Sequence, residues 1–180
     1  MSLFHLLRQK LAESEKSSNE TETVRKITRA LDRMEPDRAK FIAAFAYLLG
    51  RVARADLNIS REETQVMERI IVERGGLPEE QAVIVVQIAK AQNILLGGTE
   101  NYLVSREFKE ATTYAERIAL LDCLFAVAAA DESISTIEDN EVSQIADELR
   151  IEHRDFISIR LKYRDYLAVL KDPQSFRKHR

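Results

Sequence analysis

A single cysteine, Cys123, rules out an internal disulfide framework and any cysteine-rich zinc site. The three histidines, His5, His153 and His179, are scattered, so a histidine-based metal site is not expected either. Tryptophan is missing, and the 180 residues hold only 5 glycines and 3 prolines. Sandwiches, barrels and dinucleotide-binding α/β folds need many more turns built from those two residues. Neither sign of charge dominates. Lys+Arg number 27 against 30 Asp+Glu, a net charge of −3, which gives no global reason to expect nucleic-acid binding. The longest uncharged apolar run, Phe41 to Gly50, is ten residues, well short of the roughly 17–25 that a transmembrane helix needs. The first residues, MSLFHLLRQKLAESEKSS, have neither the extended apolar core nor the small-residue cleavage pattern of a signal peptide. A cytoplasmic location follows by default. Glycine-rich phosphate loops, nucleophile elbows and HExxH motifs are all missing, so no enzymatic chemistry is expected.

Hydrophobic residues at 45% and charged residues at 32% describe a chain able to bury a core. Helical spacing and capping signals divide it into about seven or eight helices of an all-α protein. Leu3, Phe4, Leu7 and Leu11 form an apolar stripe on an N-terminal arm, residues 1–18, which the Ser17-Ser18 break detaches from the rest. That arm is expected to be separable and to dock on a partner, a second copy or the core surface. Asn19-Glu20-Thr21-Glu22 starts a helix running to about Met34, and Pro36 suits the first position of a long one reaching about Ala55. Ser60 with Glu63, Thr113 with Glu116 and Ser135 with Glu138 are capping boxes. Gly75-Gly76 closes the helix that Ser60 opens, and Pro78 opens the next. The last helix is expected to run from just after Ile151 to about Leu170. Two segments, around 41–55 and 118–130, are apolar nearly all round and belong at the centre of a bundle. Gly50 inside the first costs about 1 kcal/mol against Ala, so close packing against another helix is its expected reason.

Shifted by 75 residues, the chain lies on itself. Leu49-Gly50-Arg51-Val52-Ala53-Arg54-Ala55-Asp56 falls on Leu124-Phe125-Ala126-Val127-Ala128-Ala129-Ala130-Asp131. Ile59-Ser60 falls on Ile134-Ser135, and Glu63 on Glu138. Such repeats are expected to pack face to face over a core that neither closes alone. The doubled pattern Ala-x-Ala-Asp-x-x-Ile-Ser-x-x-Glu on an all-helical chain resembles the tellurite-resistance protein B (TerB) family. The second copy, from Ala129-Ala130-Asp131 through Ile145-Ala146-Asp147-Glu148-Leu149, is the more specific, and the resemblance covers roughly Ala39 to Arg164. It implies a TerB-like helical bundle of two pseudo-symmetric units, about 36–96 and 113–170, within one domain at 19–172 that is followed by a basic tail at 173–180. It also implies a bacterial, cytoplasmic protein linked to tellurite and other stress responses, with suspected metal binding through acids and no established enzymatic activity. The family usually has Gly after each Asp, where this chain has Leu57 and Glu132. That departure argues against a loop geometry that depends on a positive φ there.

The residues themselves offer two readings of the acidic loops. In Asp56-Leu57-Asn58-Ile59-Ser60 and Asp131-Glu132-Ser133-Ile134-Ser135, oxygen side chains recur at alternate positions, as in a loop that wraps a hard cation. Asp56, Glu63, Asp131 and Glu138 are the candidate ligands, for Ca²⁺ or Mg²⁺. An EF-hand fails, because its twelfth position would be Met67 or Val142. The structural reading makes the serine–glutamate pairs simple caps and gives Asp56 and Asp131 Asx-turns onto loop amides. The protein would then be an interaction module for an unidentified protein partner, and a homodimer is compatible with the sequence. Asp131 to Glu148 holds seven acids and no base, and residues 152–180 hold eight Lys/Arg against four acids, which points to intramolecular charge complementarity. Cys123 is expected to be a buried small hydrophobe. Asp122 beside it would need a partner such as Arg51, Arg54 or Arg117.

Overall fold

The computed structural model describes Gln9 and residues 21–53, 61–95 and 101–171; within 21–25, 61–63 and 91–95 and at 171 only the backbone is described. Among the described residues the regular structure is helical, with one isolated β-bridge. Helix α1 spans Thr21–Asp32, α2 Pro36–Val52, α3 Arg61–Glu73, α4 Glu79–Leu95 and α5 Asn101–Ala111. Helix α6 spans Tyr114–Ala128, α7 Thr136–Glu148, α8 His153–Lys162 and a short α9 Ala168–Lys171.

Local chemistry accounts for these boundaries. Pro36 occupies the first turn of α2, where its missing N–H costs nothing, and the Glu35 carboxylate accepts the Asp37 N–H at 3.1 Å. Both described capping boxes are formed in full, Thr113 with Glu116 before α6 and Ser135 with Glu138 before α7. Helix α7 ends in a Schellman motif: the Ile151 N–H donates to the Ala146 carbonyl at 3.0 Å and the Arg150 N–H to that of Asp147 at 3.1 Å. Arg150 takes the left-handed position there, at φ 56°.

Helix α2 is the centre of the bundle. Every residue from Phe41 to Val52 is buried, Gly50 included, and the helix packs against α1, α4, α5, α6 and α7. Helix α6 is the second central element, packed against α2, α3, α7 and α8. The repeat is visible in the register: α3 and α7 are both 13 residues long and start 75 residues apart, at Arg61 and Thr136. The pairing is crossed, with α2 on α7 and α3 on α6, so each unit closes the core of the other. One continuous apolar cluster results. It carries an aromatic knot on each side. Phe41, Phe45 and Phe108 have ring centres 5.4–6.4 Å apart. Phe125 stacks on Tyr163 at 5.6 Å and meets Phe156 at 5.9 Å.

Gly75 fits where no side chain could. A Cβ there would lie 2.7 Å from the Ile71 carbonyl oxygen and 3.0 Å from Phe45 Cζ. Gly75→Ala is therefore expected to lower stability by about 1–3 kcal/mol, read from the denaturant midpoint.

The last helix corrects the sequence-based expectation of a run to Leu170. It stops at Lys162. Tyr163 leaves helical geometry, and its hydroxyl donates to the Asp122 carbonyl at 3.1 Å. After a turn of 3₁₀ helix, Leu167 becomes extended and pairs with Ile134 in a parallel bridge. The Ile134 N–H donates to the Tyr166 carbonyl at 2.7 Å, and the Ala168 N–H to that of Ile134 at 2.9 Å. Both Ile134 and Leu167 are 1% exposed. The break satisfies loop amides that a straight helix could not reach and buries a leucine.

Candidate functional site

The second acidic loop, Asp131–Ser135, joins α6 to α7 and is held from below by the Ile134–Leu167 bridge. The Asp131 Oδ1 accepts the Ser133 N–H at 3.1 Å, an Asx-turn. The Ser135 Oγ accepts the Glu138 N–H at 3.2 Å, and Glu138 Oε2 accepts the Ser135 N–H at 2.8 Å. Each of these acids thus has one oxygen committed to its own loop. Asp56 lies outside the described residues, as does the side chain of Glu63. Among the described residues, no group of three or more His, Cys, Asp or Glu gathers in a way that could hold a metal ion.

Glu132 overturns an expectation drawn from the sequence. Without glycine it still adopts φ 66°, in the left-handed region. Its N–H closes the end of α6 on the Ala129 carbonyl at 3.0 Å. A left-handed conformation costs an L-residue about 1–2 kcal/mol, and glycine's extra chain entropy recovers about half of that for the parent. Glu132→Gly is accordingly expected to stabilise the fold by about 0.5 kcal/mol, seen as a higher denaturant midpoint with an unchanged slope.

The principal ionic cluster lies elsewhere, at the crossed α2–α7 contact. Arg51, with its side chain 1% exposed, donates from Nε to Glu141 at 2.7 Å and from Nη1 to Glu148 at 2.6 Å. Its Nη2 reaches the second oxygen of Glu148 at 3.2 Å, a bidentate grip. Ser105 of α5 bridges the two, accepting from Arg51 at 3.2 Å and donating to Glu148, which also accepts from Gln144 at 2.9 Å. Burial alone would lower the Arg51 pKa, but the bonds to Glu148 and Glu141 outweigh it and raise it. Burial likewise pushes Glu148 up, and the bonds from Arg51, Ser105 and Gln144 more than reverse that, leaving it below the usual carboxylate value. Sequence reasoning offered Arg51 as one of three partners for Asp122 and did not connect it with Glu141 or Glu148. The available signal was a lone arginine in an otherwise apolar, wholly buried stretch.

Asp122, 13% exposed at its side chain, is paired by neither Arg51 nor Arg117. Its partners are Lys162 of α8 at 3.2 Å and Arg74 at the end of α3 at 3.6 Å. Arg117 instead donates to the Leu149 carbonyl at 2.7 Å, and Arg54 lies outside the described residues. Each crossed contact, α2 on α7 and α3 on α6, therefore carries its own ion pair. Cys123 is buried as expected, and burial beside Asp122 pushes its thiol up to about 12, so it is inert. On α7 and α8, Asp139 forms a bidentate pair with Arg160 at 2.6 and 2.8 Å. Of these acids, Asp139 is thus paired with the basic segment 152–180 as expected, whereas Glu141 and Glu148 are spent on Arg51 of the other repeat unit. No helix among the described residues is long and apolar enough to cross a membrane.

A family model described as tellurite resistance protein TerB matches residues 41–161, from the apolar heart of α2 to the last turn of α8, just before the chain breaks at Tyr163. Neither a curated protein nor a solved structure matched the chain. The match covers most of both repeat units, both acidic loops and the crossed helices that bury the shared core, and on that evidence the chain belongs to the tellurite resistance protein TerB family.

Proposed function

We propose that this is a non-enzymatic, TerB-type binding module acting in a bacterial stress response, tellurite resistance included, in the cytoplasm. Its working surface is the second acidic loop with the first turn of α7, and what it binds is a protein. One observation carries this reading. Asp131 and Glu138 are tied to their own loop amides, while Ile137 between them stands 79% exposed. An exposed isoleucine of that size beside fixed carboxylates has no use in the fold and suits a partner's apolar side chain. Tyr166 and Leu170, 38% and 57% exposed, lie on the segment pinned to the loop by the bridge. The test is affinity capture from the native host with the parent and an Ile137→Lys variant. A specific protein retained by the parent and lost by the variant, at equal melting temperature, supports the reading. Identical captures contradict it.

The second reading is divalent-cation binding, Ca²⁺ or Mg²⁺, shared between Asp131 and Glu138 of this loop and Asp56 and Glu63 of the other. It is favoured by the second oxygen of each described acid: Asp131 Oδ2 and Glu138 Oε1 accept no bond among the described residues. Hard cations need such anionic oxygens.

A further inference from the structure

The two copies of the repeat end differently. Helix α4 runs unbroken from Glu79 to Leu95. Shifted by 75 residues, that span is Arg154 to Leu170, yet α8 stops at Lys162. Ile88 stands in register with Tyr163, and both are buried. Past this shared position α4 continues to Leu95, whereas the second copy bends. Nothing in the local sequence forbids continuation there. Residues 163–171 hold neither glycine nor proline. Leu167 and Leu170 follow Tyr163 at i+4 and i+7, on the apolar stripe that Phe156 and Tyr163 begin.

The backbone bonds of a bent and an unbroken form nearly balance. In the bent form the Tyr166 and Leu167 N–H groups donate to the Tyr163 and Arg164 carbonyls at 3.0 and 3.2 Å, and the Ala168 N–H to that of Ile134 at 2.9 Å. In an unbroken helix each moves to the carbonyl four residues back, on Lys162, Tyr163 and Arg164. Of the bridge groups, Ile134 loses its partners to water, and Leu167 leaves its buried place. Against that, the loop that holds Glu132 at φ 66° loses its brace, so the left-handed strain relaxes. We propose that residues 163–171 are a two-position element: bent and bridged to the acidic loop, or continuing α8 as α4 continues, with the loop released. The bent form is the major one. A ligand that needs the ordered loop binds that form alone and draws the element towards the bridge.

Carbon-13 exchange NMR on the full chain tests the two positions, whatever the loop binds. Leu167 is the reporter, extended at φ −67°, ψ 112° in the bent form and helical in the other. The expected result is a minor state of about 1% whose Leu167 Cα shift lies at the helical value. Leu167→Lys cannot keep its charge in that buried place but retains helix propensity. It should make the helical shift the major one, with α2 resonances unchanged to show that the bundle is folded. Ala168→Pro should abolish the exchange. Its ring clashes with the Arg164 carbonyl in an unbroken helix, while the bent form puts position 168 at the start of α9, after an extended residue, where proline fits. That variant also removes one bridge bond, so a bridge that only frays would exchange more. Should Leu167→Lys unfold the bundle, the parent and Ala168→Pro decide alone. Four results would overturn the proposal: no minor state in the parent; a minor state at the random-coil shift; a folded Leu167→Lys variant with coil-like shifts over 163–171; or increased exchange in Ala168→Pro.

Discussion

Arg51→Ala should cost about 3–5 kcal/mol, a large share of what holds a domain of this size together. The loss arises less from the attraction removed than from what remains. Glu148, with its side chain 13% exposed, and Glu141 would keep two carboxylates near each other in a poorly solvated contact without their counter-charge. Ser105 and Gln144 still donate to Glu148 but bring no charge. Replacing the cluster by uncharged residues of similar volume, Arg51→Met with Glu148→Met and Glu141→Gln, should recover most of the loss, because no uncompensated charge is then left in the contact. The pH dependence has a definite sign. The folded-state pKa of Glu148 is held below its ordinary value. Its contribution is therefore present above the unfolded pKa and disappears as pH falls through the folded one. In Arg51→Ala the same carboxylate is penalised when ionised, so the stability gap between parent and variant should narrow below about pH 4. Denaturant melts at pH 7 and below pH 4 give both numbers. A gap that stays constant would mean that the cluster is not ionised in the folded protein.

Phe125→Ala is expected to cost about 3–5 kcal/mol as well, by a different route. Phe125 is fully buried in α6 and touches Tyr163 and Phe156 of the α8 segment. Removing the ring leaves a cavity and unseats Tyr163, whose hydroxyl marks the break that lets Leu167 pair with Ile134. The effect should therefore reach the acidic loop. Amide exchange at Ile134 and Ala168, whose N–H groups form the bridge, should accelerate more than exchange in the middle of α2. Equal acceleration at both places would show that the loop is not anchored through the α8 segment.

The sequence was informative wherever a signal is local. Capping boxes at Thr113 and Ser135, the proline at the start of α2 and the 75-residue register of α3 and α7 depend on residues within a turn of each other, or on simple self-similarity. The family resemblance rested on the same local motifs. Three features depended on contacts across the bundle and were missed. Arg51 and Glu148 are 97 residues apart, and only the crossed packing of α2 on α7 shows that the arginine faces two acids. The partners of Asp122 lie on α8 and at the end of α3, elements that no spacing argument places beside α6. The stop at Lys162 carries no glycine or proline; a tyrosine hydroxyl, a buried leucine and two amide bonds to a distant loop decide it. Glu132 shows the opposite limit. A glycine-free sequence argued against a left-handed turn, yet the surrounding bonds and the bridge impose one.

The reading of the acidic loops as fixed structural elements beside a protein-docking surface meets its most direct test in a calorimetric titration of the full chain with Ca²⁺, Mg²⁺, Mn²⁺ and Zn²⁺, paired with melting curves at the same concentrations. An acid whose role is to accept loop amides gains nothing from an added ion. The account therefore predicts no saturable heat and no rise in melting temperature at millimolar ion, with Asp131→Asn indistinguishable from the parent. A saturable heat with a matching rise in melting temperature, both abolished by Asp131→Asn, would contradict it and make the loops a cation site.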